Sequence, residues 1–468
     1  MADLFLRLYS ELDELAARHE ADEWGEDATI LDIAADVEER AILDGELDPE
    51  QVAEQLELAD TEIHGRRYAY LLGIDRALAA VHPALDAPDR AGLTQAAARF
   101  RRYGRLNSRD EDGALLPRYA IPQRRRVMLD EAPIEGKDDL FENVTVVEPE
   151  QWSRTDSTRI PRIADFLATA RTEGLLVGAA PVARGGDVEI GAWAGRHRRY
   201  YAVEPREGPI APRIPMVLAR LDERGADVGL MPELTLTPTL VEAWREALRS
   251  RPPPLGSRLR LIMLGTGPLE RRGDGLVANR AVVLRRDGTE VLTQDKRHGF
   301  LMEPELIERW GMEALLGDEP CAEPLIAADR VSVGESSLGR ICVLVCEDLG
   351  RTTSDREHLR ALGPSHFFAP VFSKPTVAHY WEHTAARSLA SEIGSQTVVV
   401  NSLVVEDLQA AAGRPETRPT GEPAHGTALA HSASADVVEV YAADPADVKL
   451  LRLAFDDVVE QAHIARDN

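Results

Sequence analysis

The chain is predicted to be an α/β protein with an added, mainly helical N-terminal segment. Three observations predict it. Over roughly the last 300 residues, short apolar strands alternate with helical patterns. Over the first hundred, Ala, Leu, Glu and Asp dominate and apolar residues return every three or four positions. The hydrophobic content of 44% and charged content of 29% across 468 residues are those of a globular chain with room for two or three units.

Taken in order, Leu4, Leu8, Leu12 and Leu15 mark the first helical face. Asp48-Pro49-Glu50 reads as an N-cap with proline in the first turn, opening a helix through Val52, Leu56, Leu58, Ile63 and Tyr70, and Pro83 and Pro88 punctuate the segment beyond Tyr70. From about 104 to 160 the periodicity dissolves around Gly104, a proline-containing stretch and Arg124-Arg125-Arg126, which predicts a linker or irregular layer. The division is therefore residues 1–160, mainly helical plus linker, and residues 161–468, the α/β part. Its strands are read at Leu175–Gly178, Gly225–Met231, Leu259–Leu264, Ala281–Leu284, Ile341–Val345 and Thr397–Val400. Asp287-Gly288 directly after the fourth signals a hairpin, so the pairing is mixed.

With 80 acidic against 54 basic side chains, the net charge is −26, and such a surface repels phosphate backbones and anionic lipid. Nucleic acid is excluded as the expected partner, even though aromatics interleave the basic run Arg99–Arg105. Three cysteines, Cys321, Cys342 and Cys346, do not suit a secreted disulfide framework. No apolar run approaches the roughly 18 residues of a membrane span, and no basic-then-apolar leader is visible. A cytoplasmic location is the expectation. Only four basic residues are lysine, namely Lys137, Lys296, Lys374 and Lys449, so a surviving lysine marks a place where a compact ammonium serves better than a guanidinium.

Three apolar strands end on reactive residues: Met231-Pro232-Glu233, Gln294-Asp295-Lys296 and Cys346-Glu347-Asp348. Strand ends combine rigidity with access to a crevice. A carboxylate, an ammonium and a thiol gathered there can attack a carbon bonded to nitrogen. Glu233 would take the thiol proton and return it to the leaving amine, Lys296 would face the oxyanion together with the backbone N–H of Glu347, and Cys346 would carry a thioester. Structural readings compete with each assignment: a packed strand cysteine, a solvated lysine, a helix-start carboxylate. Cys342 is expected to pack, Cys321 has no assigned role, and Lys374 could stand at a pocket rim. His379 and His383 are four apart, a spacing able to hold zinc, but no third ligand accompanies them, so no metal is expected, and no organic cofactor either.

The blocks Ala226–Glu233, Asn279–Lys296 and Gly339–Asp348, in that order, resemble the nitrilase or carbon-nitrogen hydrolase superfamily over about residues 170 to 456. Arg387–Glu392 with Val399-Val400-Asn401, and Gly426–His431, resemble its later helix and strands. The resemblance implies a four-layer α-β-β-α sandwich, commonly in a homo-oligomer, and a Glu-Lys-Cys triad of Glu233, Lys296 and Cys346. It also implies a second glutamate shortly after the lysine, with Glu303 and Glu305 as the two candidates. Cys346-Glu347-Asp348-Leu349-Gly350 is closer to glutaminase-type and amidase-type members than to nitrile hydrolysers. The implied reaction is hydrolysis of a small-molecule amide in preference to a nitrile. A thioester-based acyltransferase and a catalytically silent scaffold are the alternatives, and the N-terminal helical segment offers a surface for a protein partner.

Overall fold

The computed structural model describes residues 1–44, 47–57, 62–79, 98–100, 102–118, 137–160, 175–195, 198–336, 339–432 and 435–453. Pro83, Pro88 and Arg124–Arg126 lie outside the described residues. Among the described residues no helix is long and apolar enough to cross a membrane.

Two large mixed sheets organise the α/β part. One has six strands in the order Glu290–Asp295, Val277–Arg285, Leu261–Arg271, Val228–Leu230, Leu175–Ala179, Lys449–Leu453. The other has seven, in the order Ala435–Val440, Ala428–Ser432, Gln396–Asn401, His366–Val371, Gly339–Val343, Val331–Ser336, Thr155–Arg159. Central strands such as Val228–Leu230 and His366–Val371 are wholly buried and mainly apolar, as expected for strands covered on both faces. One core holds Val177, Val228 and Met263 of the first sheet together with Val333, Phe367 and Val399 of the second, so the sheets share an interior. A second core packs Leu221 and Trp244, from helices Ile214–Glu223 and Pro238–Ser250, against Ile262 and Leu284 of the six-stranded sheet. Leu359 and Leu389, from helices Thr352–Leu362 and Trp381–Ile393, pack with the seven-stranded sheet.

The hairpin expected at Asp287-Gly288 is present: Arg285 N–H donates to Thr289 O at 2.8 Å, and Gly288 takes φ +83°, where a Cβ would be strained. Leu261–Arg271 and Val277–Arg285 each run five residues longer than the apolar runs predicted, whereas Val228–Leu230 is shorter than the predicted Gly225–Met231. A small four-stranded sheet was not foreseen; its order is Leu301–Met302, Cys321–Ala322, Arg199–Pro205, Val188–Ala194.

The N-terminal region forms helices Ala2–Glu11, Glu14–Glu26, Ala28–Asp44, Pro49–Glu57 and Ile63–Leu78. Residues 104–118 and 137–160 hold regular strands and short helices where an irregular layer is predicted. Ala114–Pro117 pairs antiparallel with Val144–Val147, and the strand alternation serves two cores. Leu115, Val144 and Val146 face the helices around Phe5, Leu71 and Phe141, while Ala114, Leu116 and Val147 belong to the core that also holds Leu359 and Leu362 of the helix Thr352–Leu362. Thr155–Arg159, on the N-terminal side of the expected boundary at 160, pairs in parallel with Val331–Ser336 and so belongs to the seven-stranded sheet. Its polar sequence, Thr-Asp-Ser-Thr-Arg, hides a strand whose position is set by its partner. In the basic run, Arg99 pairs with Asp3 at 3.6 Å and Arg105 pairs with Asp110.

Candidate active site

Glu233 follows the strand Val228–Leu230 through Met231-Pro232. The turn is tight: Leu234 takes φ +58°, its N–H donates to Thr266 Oγ1 at 3.3 Å, and a Cβ on Gly265 would stand 2.2 Å from the Pro232 carbonyl oxygen. Lys296 follows the hairpin's return strand, and its N–H extends the ladder to Asn279 O at 2.9 Å. Cys346 comes from the other sheet. It stands between Gly339–Val343 and the single-turn helix Glu347–Gly350 at φ +49°, a conformation uncommon for any residue but glycine, held by its N–H to Pro370 O at 2.9 Å.

The three side chains meet in the interior. Lys296, 1% exposed, places Nζ 2.9 Å from Glu233 Oε1, and Glu233 is 2% exposed. The Cys346 thiol, 7% exposed, lies in the field of the Glu233 carboxylate and the Lys296 ammonium. A fourth group completes the cluster: Glu323 Oε2 lies 2.7 Å from Lys296 Nζ. Asn279 Nδ2 donates to both carboxylates, at 2.8 Å to Glu233 Oε1 and 3.2 Å to Glu323 Oε1. Phe300 N–H adds a donor to Glu323 Oε2 at 3.1 Å.

The place expected for Glu303 or Glu305 is thus taken by Glu323. Both expected residues are exposed, one just before and one within the helix Pro304–Arg309, where their charges are solvated. Glu323 lies 27 positions beyond the lysine, after a two-residue strand too short to leave a periodic signal.

The loops bearing Lys296 and Cys346 are joined by Asp348, which is 2% exposed. Its Oδ1 accepts from the backbone N–H groups of Arg297 at 3.1 Å and His298 at 2.8 Å. The Arg297 guanidinium makes a bidentate pair with Asp355, at 2.7 and 3.0 Å.

Burial and charge set the protonation states. Burial pushes the Glu233 carboxyl up, opposed by the Lys296 ammonium and reinforced by Glu323. The Cys346 thiol is held well above its ordinary range by burial and then by the Glu233 charge, with Lys296 pulling the other way. For Lys296, burial favours the neutral amine, but Glu233 and Glu323 outweigh it and hold the ammonium firmly protonated. The resting site is an ammonium between two carboxyl groups with a protonated thiol beside one of them.

The other singled-out residues lie elsewhere or pack. Cys342 is fully buried, its thiol pushed up to about 12 by burial. Cys321 is buried in the small sheet. Lys374 Nζ sits 3.1 Å from Glu416 Oε1 and 3.6 Å from the centre of the Tyr380 ring. His379 N–H donates to His383 Nδ1 at 3.0 Å, and among the described residues no group of three or more His, Cys, Asp or Glu could hold a metal ion.

No protein-family model and no curated protein matches the chain. Solved structures do. Nit3 of Saccharomyces cerevisiae, a member of branch 10 of the nitrilase superfamily, is similar over 62% of this chain and 93% of its own, at 13% identity and a TM-score of 0.40. An amidase from Nesterenkonia sp. is similar over 64% of this chain and 97% of its own, at 15% identity and a TM-score of 0.37. The glutamine-dependent NAD+ synthetase of Acinetobacter baumannii is similar over 59% of this chain and 45% of its own, at 14% identity and a TM-score of 0.37.

Proposed function

We propose that the chain is a carbon-nitrogen hydrolase of the nitrilase type that cleaves a non-peptide amide of a small molecule through a thioester on Cys346. The observation that carries this reading is the buried ion pair of Glu233 with Lys296, whose two charges both act on the buried Cys346 thiol. Glu233 takes the thiol proton as sulfur attacks the carbonyl carbon. The tetrahedral oxyanion forms against the Lys296 ammonium and the Glu347 backbone N–H. Collapse breaks the C–N bond, and the amine leaves with the proton that Glu233 returns. Water then attacks the thioester, with Glu233 as base, releasing the acid and restoring the thiol. Burial helps twice: it raises the Glu233 carboxyl toward the range of a useful acid-base group, and it strengthens the field of Lys296 on the oxyanion.

The shared core of the two large sheets and the helices on their outer faces support the four-layer α-β-β-α arrangement that goes with this chemistry. The residues after Cys346 support amide over nitrile. The helical N-terminal region is assigned to a partner surface, and the chain to a cytoplasmic homo-oligomer.

The test is intact-protein mass spectrometry and product analysis against an amide and nitrile library. An acyl adduct mapped to Cys346, ammonia or amine release with free acid, and loss of both in Cys346→Ala support the reading. Lys296→Arg is expected to be nearly as damaging. Full activity in either variant overturns it, and an acyl conjugate in place of free acid assigns transfer.

A further inference from the structure

The small four-stranded sheet brings a second side chain to the cluster besides Glu323. Cys321 pairs in parallel with Arg199 and Ala322 with Tyr200, so the next step of the ladder sets Glu323 level with Tyr201. Tyr201 is 5% exposed. Its phenol lies in the field of the Glu323, Lys296, Glu233 and Cys346 groups. Burial first, and the Glu323 charge after it, hold that phenol well above its ordinary range, so it stays protonated. A neutral phenol is a hydrogen-bond donor. The carboxylate oxygens near it already accept from Lys296, Asn279 and Phe300.

We propose that Tyr201 is a catalytic residue of this site, donating its hydroxyl hydrogen to the oxyanion of the tetrahedral intermediate beside the Lys296 ammonium. This rests on the thioester reading above. The proton stays on the phenol throughout, so no bond to hydrogen is broken, and the donor relaxes when the carbonyl re-forms. Such a donor acts on the charge that develops during attack and leaves the formation of the thiolate alone.

The experiment compares wild type with Tyr201→Phe in three measurements: turnover of an amide found in the library, alkylation of Cys346 by iodoacetamide, which passes through no oxyanion, and thermal melting. The expected result is a loss of about 100-fold in kcat, the size typical of one lost oxyanion donor, with KM, alkylation rate and melting near wild type. Turnover within about threefold of wild type overturns the proposal, as does an equal loss of alkylation and turnover. If Tyr201→Phe does not fold, 2,3-difluorotyrosine at position 201 keeps the shape and makes the phenol more acidic. The alkaline limb of the kcat profile must then move to lower pH, and an unmoved limb overturns the proposal. A wild type that forms neither adduct nor product removes the hydrolase reading and this one with it, whereas an active wild type with an equally active Tyr201→Phe removes this one alone.

Discussion

The scarcity of lysine has a physical reading at each of the four places. Lys137 donates to the carbonyls of Tyr9 and Leu12 at the end of the first helix and stands 4.4 Å from the Tyr9 ring centre. Lys374 and Lys296 are held by carboxylates in partly and fully buried settings, and Lys449 pairs with Asp447 at 2.8 Å. Only Lys296 sits between two buried carboxyl groups, where three directional donors on a compact head satisfy acceptors that a planar fork would spread apart. Glu382 poses the opposite problem. It is fully buried on the helix Trp381–Ile393, near the Ser373 hydroxyl, Lys374 and Glu416. Burial pushes its carboxyl from the usual 4.5 up to about 7, and neither of its oxygens has a hydrogen-bond partner among the described residues. Because the folded value lies above the unfolded one, the folded state holds the proton more tightly. The stabilisation is full below about pH 4.5 and is lost as pH rises through about 7, a swing on the order of 3 kcal/mol. Glu382→Gln, neutral at every pH, is expected to melt higher than wild type at pH 8 and to flatten the dependence between pH 5 and pH 8. Parallel curves for the two proteins would show that Glu382 ionises freely.

At the scale of elements, the site is a meeting of strand ends from two sheets, and what joins them is a loop contact. Glu233 and Lys296 ride on the six-stranded sheet and Cys346 on the seven-stranded one, so their separation depends on how the lysine loop is tied to the cysteine loop. Asp348 makes that tie by accepting from the backbone N–H groups of Arg297 and His298. Asp348→Asn keeps the shape but turns part of the acceptor set into a donor facing N–H groups. A cost of about 1–3 kcal/mol in stability is expected, with a fall in kcat larger than any rise in KM. Urea unfolding and steady-state kinetics read the two effects, and an unchanged kcat would show that the sheets hold the geometry without the tie. The segments that carry Glu233, Lys296 and Cys346 are legible in the sequence because each closes an apolar run on a reactive residue: Val228–Leu230 before Glu233, Gly339–Val343 before Cys346. Glu323, Tyr201 and Asn279 close no such run. Glu323 and Tyr201 come from a sheet whose strands are two residues long or mixed in polarity, and whose pairing joins positions more than a hundred residues apart. Periodicity reports a segment's own burial and says nothing of such partners. The same holds for Thr155–Arg159, whose place is set by its partner Val331–Ser336.

At the scale of the molecule, the N-terminal region is fastened to the α/β part by buried polar contacts as well as by shared cores. Thr145 Oγ1 donates to Ala361 O at 2.9 Å, tying the two-stranded sheet to the helix Thr352–Leu362. Arg340, wholly buried, does more. Its Nε meets Glu335 Oε1 at 2.5 Å, one terminal nitrogen reaches Leu362 O, and the other lies 3.3 Å from Pro117 O, so one guanidinium links the seven-stranded sheet, a helix and an N-terminal strand. Removing one member of a buried ion pair strands the other charge, which typically costs about 3–5 kcal/mol, while replacing both with apolar groups is often near neutral. Arg340→Leu is therefore expected to lower the melting temperature sharply, and Arg340→Leu with Glu335→Leu to regain part of the loss. The part not regained measures what the guanidinium contributes through the Leu362 and Pro117 carbonyls, contacts that apolar side chains cannot replace. Complete recovery in the double variant would mean that the ion pair is the whole of Arg340's role and that its contact with the Pro117 carbonyl adds nothing to how the N-terminal region is held.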